Sequence, residues 1–167
     1  MIRRVSALFA LAVAAASLTA CTPTIHLEPA DAANDPACAE VSVRLPDAIG
    51  DNKRVWTDAQ ATGAWGDPSI IIFRCGLDAP AASTLQCVSF NGVDWLVDDS
   101  ERPRLRMTTF GRTPAAQAYV DTSKISGDQV LSALGSAAGT LPTNGAKCTS
   151  VSEATPDESD APETATE

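Results

Sequence analysis

A chain of 167 residues with 21 acidic and 12 basic side chains, a formal net charge of −9, lacks the basic footprint of a nucleic-acid binder. Its length suffices for one domain with a real core. The only histidine is His26, which leaves a hydrolase-type triad short of its usual base.

The N-terminus reads Met1-Ile2-Arg3-Arg4 and then runs from Val5 to Leu18 without a charge. A spanning helix needs about 20 apolar residues, so this shorter run predicts a secretory signal peptide over residues 1–20. Leu18-Thr19-Ala20-Cys21 resembles a bacterial lipobox. The small residues admit a peptidase to the backbone, and the Cys21 sulfur accepts a diacylglycerol group. After cleavage the new amino group takes a further acyl chain such as palmitate. Two or more chains anchor a protein stably, at about 0.8 kcal/mol per buried CH₂. The plainer alternative is an ordinary secretory signal that leaves Cys21 a free thiol. Arg3-Arg4 raises the twin-arginine route, but Ser6 stands where that motif wants a bulky apolar residue. The expected location is the outer face of the cytoplasmic membrane, with the membrane as a partner through Cys21. Loss of Arg3 and Arg4 takes the charge from −9 to −11, so lipid rather than electrostatics must hold the protein to an anionic surface.

Residues 21–35 read as the lipidated cysteine and a flexible tether with Pro23 and Pro29, in which His26 has no fixed geometry. A single domain is expected over 36–148. Asp35 can cap a helix with Pro36 at its first position; Cys38, Val41 and Leu45 share its face, and Pro46 ends it. Arg54–Thr57 reads as a brief strand, and Ala64-Trp65-Gly66-Asp67-Pro68 as a turn. Ser69–Cys75, with Ile70 to Phe73 unbroken, reads as a strand covered on both faces. Asn91-Gly92 between two apolar runs predicts a hairpin with a type I′ turn. Its register sets Phe90 against Val93 and Val88 against Trp95 on one face, and Ser89 against Asp94 and Cys87 against Leu96 on the other. Asp98–Pro103 reads as a charged turn, Arg104–Phe110 as a strand, and Gln117–Thr122 as the last strand. Ser126 with Gln129 three residues on is a capping box, and Val130, Leu131, Leu134, Ala137, Ala138 and Leu141 form an apolar helical face. Residues 149–167, rich in Ser, Thr, Pro, Ala and acid, predict a disordered tail.

Helix, strands joined mostly by short turns, then helix: the expected class is α+β, an antiparallel sheet of about five strands with an N-terminal and a C-terminal helix packed on one face. With Cys21 spent on lipid, Cys38, Cys75, Cys87 and Cys148 make an even set for two disulfides in an exported domain. On this picture Cys38 pairs with Cys148 and Cys75 with Cys87, though three pairings are open. No CxxC spacing points to zinc or redox chemistry.

Residues from about Cys38 to Cys148 resemble a family of actinobacterial secreted lipoproteins known only as a domain of unknown function. Ala64-Trp65-Gly66-Asp67-Pro68, Arg74-Cys75-Gly76, Asn91-Gly92-Val93-Asp94-Trp95 and Thr109-Phe110-Gly111-Arg112 followed by Tyr119-Val120 carry the resemblance, through their order. It implies a cell-envelope lipoprotein and transfers no activity and no catalytic residue.

Chemistry-bearing patterns are sparse. Lys53, Lys124 and Lys147 lack a Ser-x-x-Lys spacing. Asp94, Asp98, Asp99 and Glu101 crowd one hairpin strand and its turn, without the spacing or glycine of a calcium loop. No catalytic residue, metal or cofactor is expected. Arg102, Arg104 and Arg106 share a parity and could form a basic stripe for an anionic glycopolymer, head group or acidic partner; the plainer reading is a face balanced by Asp98, Asp99 and Glu101. An exposed Trp65 beside its turn is the better aromatic candidate for a ligand or partner surface, since Val88 gives Trp95 a packing partner. The sequence therefore suggests a non-enzymatic protein-docking or adapter domain with an envelope protein partner. The alternative is a small-molecule or glycan-binding module, and an enzyme without a recognisable motif comes third.

Overall fold

The computed structural model describes residues 24–81 and 83–149. The expected signal peptide, Cys21 and the expected tail from residue 150 lie outside the described residues. In chain order the elements are β1 (Thr24–Ile25), α1 (Pro36–Ser42), β2 (Ala48–Ile49), β3 (Asn52–Thr57), β4 (Thr62–Trp65), β5 (Ile71–Leu77), β6 (Gln86–Phe90), β7 (Val93–Glu101), β8 (Arg104–Phe110), β9 (Ala115–Asp121) and α2 (Gly127–Ala138).

The expected α+β class does not hold. The described residues form one nine-stranded sheet in the order β1-β3-β4-β5-β9-β8-β7-β6, with β2 pairing β3. The sheet is mixed, because β1 runs parallel to β3 while the other pairings are antiparallel. The helices have only 7 and 12 residues. The unforeseen strands are short. Thr62-Gly63-Ala64-Trp65 has little of the β-branched pattern that marks a strand, and β1 and β2 have two residues each.

The segment expected to be a free tether is built into the domain from Thr24 onward. Thr24 and Ile25 pair with Trp56 and Thr57. Ala33 is buried, and the Ala32 amide donates to the Gly76 carbonyl at 3.0 Å. Gly76 makes this approach possible: a Cβ there would stand 2.4 Å from the Ala33 nitrogen. His26 Nδ1 lies 2.5 Å from Asp58 Oδ2.

Alternation of side chains across the pleat divides the sheet into two faces. On one, Ile71, Phe73 and Cys75 stand beside Val120, Ala118 and Ala116, with Met107 beside Ala118 and Trp95 beside Thr109. All are buried, and the apolar ones join Val41 of α1 and Val130, Leu131, Leu134, Ala137 and Ala138 of α2 in one core. The expected caps form: the Asp35 side chain accepts from the Ala37 amide and the Ser126 hydroxyl from the Gln129 amide. The hairpin has the expected register, Phe90 opposite Val93 through Cys87 opposite Leu96. Asn91 and Gly92 sit at φ 51° and 75°, as a type I′ turn requires.

Both cysteine pairings favoured from the sequence are corrected. Cys38 bonds Cys75, and Cys87 bonds Cys148. Cys75 lies on the core face, while Cys87 sits in the row Leu96-Thr108-Gln117-Arg74 of the opposite face. Side chains on opposite faces of a sheet cannot meet within disulfide geometry. Each cysteine instead takes the partner that crosses its own face: α1 for Cys75, and for Cys87 the segment after α2.

Candidate functional site: the outer face of the sheet

The second face carries two rows of side chains across six strands. One runs Ala64, Ile72, Tyr119, Arg106, Asp98. The other runs Thr62, Arg74, Gln117, Thr108, Leu96, Cys87. Antiparallel pairing places residues on neighbouring strands about 5 Å apart, so a polar row becomes a continuous network. Arg74 Nη2 donates to Gln117 Oε1 at 3.2 Å, and Gln117 Nε2 donates to Thr108 Oγ1 at 2.9 Å.

At the centre of this face Tyr119 lies between two arginines. The Arg106 and Arg104 guanidinium carbons stand 4.7 Å and 5.9 Å from its ring centroid, within cation–π range. Glu101 ties the group together: its Oε2 accepts from the Tyr119 hydroxyl at 2.7 Å, and its Oε1 accepts from Arg106 Nη2 at 2.6 Å and Nε at 3.1 Å. The Tyr119 hydroxyl, then Arg106, hold the Glu101 carboxyl below its ordinary pKa, and Glu101 holds Arg106 above its own. Asp98 is lowered chiefly by the Ser100 backbone amide, and Asp121 by the Ser123 hydroxyl and amide. Three carboxylates, Glu101, Asp98 and Asp121, are therefore held in their charged form beside the arginines of this face.

The expected basic stripe is thus largely neutralised. Arg102 pairs with Asp99 in the β7–β8 turn at 2.9 Å, and Arg106 is held by Glu101. Arg104, exposed, takes part in none of the ion pairs found among the described residues. It borders a shallow hollow of about 110 Å³ lined with Ser69, Ile70, Ile72, Tyr119 and Asp121.

Trp65 does not belong to any surface. It is fully buried, its ring lies over Gly63 of the same strand, and its Nε1 donates to the Pro46 carbonyl at 2.9 Å. Gly63, two residues away on the same side of β4, is the slot for that ring, a signal the sequence carried and the turn reading hid. Trp95 is also fully buried, its Nε1 without a hydrogen-bond partner among the described residues. The exposed tryptophan is Trp56, at 70%, to which the sequence reading gave no role. Among the described residues no cluster of three or more His, Cys, Asp or Glu has the geometry to hold a metal ion.

Residues 2–146 match the family described as a protein of unknown function, DUF3515. The chain belongs to this DUF3515 family. No curated protein and no solved structure matches it. In this DUF3515 domain the two disulfides point to an oxidising, extracytoplasmic compartment, and no helix among the described residues is long and apolar enough to cross a membrane.

Proposed function

We propose that this DUF3515 protein is a lipid-anchored lipoprotein of an actinobacterial envelope, and that its domain is a non-enzymatic adapter that docks on another envelope protein through the outer face of its sheet. The lipobox ending at Cys21 supports the anchor. The Arg104–Tyr119–Arg106 stack braced by Glu101 is the observation that supports docking. Tyr and Arg are enriched at interface centres and among their energetic hot spots. Tyr119 and Arg106, held by hydrogen bonds to Glu101, lose little freedom on binding.

Affinity capture from solubilised membranes tests the reading. Wild-type protein should recover one protein reproducibly, and Arg104→Glu, which inverts an exposed charge, should reduce that recovery at least about tenfold, the effect of losing ~1.4 kcal/mol. Equal recovery by both would contradict it. Cys21→Ser tests the anchor: the variant should leave the membrane fraction or stay unprocessed, and an acylated variant would overturn the lipobox reading.

A second reading, a module for an anionic or glycan ligand, is favoured by the hollow beside Arg104. Trp65, offered for that role from the sequence, is excluded by its burial.

A further inference from the structure

Trp56 stands apart from the outer face, at the far edge of the sheet. It is 70% exposed, while Trp65 and Trp95 are fully buried. A large aromatic side chain left mostly exposed on a strand forgoes the burial that stabilises such groups elsewhere. Its position along the chain suggests what covers it. Thr24 of β1 is the register partner of Trp56 on β3, and paired residues of a parallel ladder project to the same side of the sheet. Cys21 precedes Thr24 by three residues, which span at most about 11 Å when extended. Neighbouring strands are about 4.8 Å apart. The Cys21 backbone is therefore confined to within about 16 Å of Trp56. If Cys21 carries lipid, its backbone lies at the head-group layer, and the ring of Trp56 is held within reach of that layer.

We infer that Trp56 inserts into the head-group layer of the bilayer that holds the lipid on Cys21, and so fixes the orientation of the domain. This rests on the lipidation proposed above. Tryptophan is the side chain most at home at that depth, its ring apolar and its N–H able to bond to water or head groups. The nearby Asp58 is engaged by His26 and by the Leu27 amide. Only two residues separate Cys21 from Thr24, which pairs with β3, so the anchor limits how far the domain can stand from the membrane. Two points, the lipid and the Trp56 ring, then define how the sheet stands on the membrane.

The three tryptophans make the test clean, because only Trp56 is accessible to a quencher. Lipidated protein is purified from cells and its acylation checked by mass spectrometry. It is then reconstituted into phosphatidylcholine–phosphatidylglycerol vesicles, with and without lipids brominated near the glycerol backbone. The expected result is a blue shift of the tryptophan emission on reconstitution, loss of iodide quenching, and quenching by the brominated lipid. All three should be absent in Trp56→Phe, which at so exposed a site leaves the fold intact. Acylated protein whose emission stays iodide-quenchable and untouched by brominated lipid would overturn the inference while leaving the lipoprotein reading in place. In that outcome, protection of Trp56 in native membranes alone would assign it to a protein neighbour. Absence of acylation would instead remove the lipoprotein reading, and this inference with it.

Discussion

Three tryptophans in one small domain illustrate how little residue type alone says about exposure. Trp65 follows a glycine and an alanine and precedes Gly-Asp-Pro, which reads as a turn, yet its ring is laid back over Gly63 into the core. Trp65→Ala should therefore cost about 3–5 kcal/mol of stability, measured by denaturant unfolding; a cost below about 1 kcal/mol would contradict the burial. The arginines teach the same lesson about charge. Their shared parity was legible, but the acids that neutralise two of them come from the end of β7, where a bulge between Asp98 and Glu101 sets which carboxylate faces which guanidinium. That irregularity has no sequence period. Glu101 offers a pH test. Its folded pKa is depressed, first by the Tyr119 hydroxyl and then by Arg106. Its contribution is thus complete above the ordinary carboxylate range and is lost as pH falls through the depressed value. The difference in thermal midpoint between wild type and Glu101→Gln should close as pH is lowered from about 7 to about 3. A difference that stays constant would mean that Glu101 does not make this contact in solution.

The elements that could be foreseen are those with a strong local rule. Asn91-Gly92 imposes its turn, the turn imposes the register, and the register places Cys87 on the outer face. That step alone leaves a Cys75–Cys87 bridge open, as the sequence reading had it; what excludes the bridge is the side on which Cys75 falls, which depends on pairing with β9. Mass spectrometry of unreduced peptides should find Cys38 linked to Cys75 and Cys87 linked to Cys148. Loss of either link should destabilise the domain by about 4 kcal/mol on the loop-entropy estimate. Arg112 is a second device that joins elements. Its guanidinium donates to the carbonyls of Gly139 and Leu141 at the end of α2, and of Gly92 in the hairpin turn. A cation at a helix C-terminus complements its dipole, and here it also pins the hairpin. Arg112→Met should lower stability by about 2 kcal/mol, seen as a lower midpoint in urea; no change would mean that water replaces it fully. The family resemblance runs through this arginine, so it is best assigned to folding.

At the scale of the molecule, the sequence conveyed a disulfide-bonded chain with two helices and several strands, but the expected five-strand sheet between terminal helices is overturned by a nine-stranded mixed sheet whose first strand precedes α1. Strands of two and four residues have no period to detect. Their existence depends on partners distant in sequence: β1 exists because β3 offers it an edge. The consequence for function is geometric. Docking of residues 24–35 onto the domain would, on the proposed lipid anchor, shorten its reach from the membrane, while the segment after α2 is fastened by Cys148 to the outer face. This leaves the Tyr119 surface displayed between fixed boundaries, with Arg106 and Arg102 paired and Arg104 outside the ion pairs found among the described residues, and the proposed docking role draws on that surface. Site-specific photo-cross-linking in intact cells tests this most directly, with a photoreactive side chain at Ile72, beside Tyr119, and in a second strain at exposed Val43. The account predicts a discrete adduct with one protein from position 72, lost when Arg104→Glu is added, and no such adduct from position 43. Adducts from both positions alike, or from neither, would contradict a docking role for the outer face.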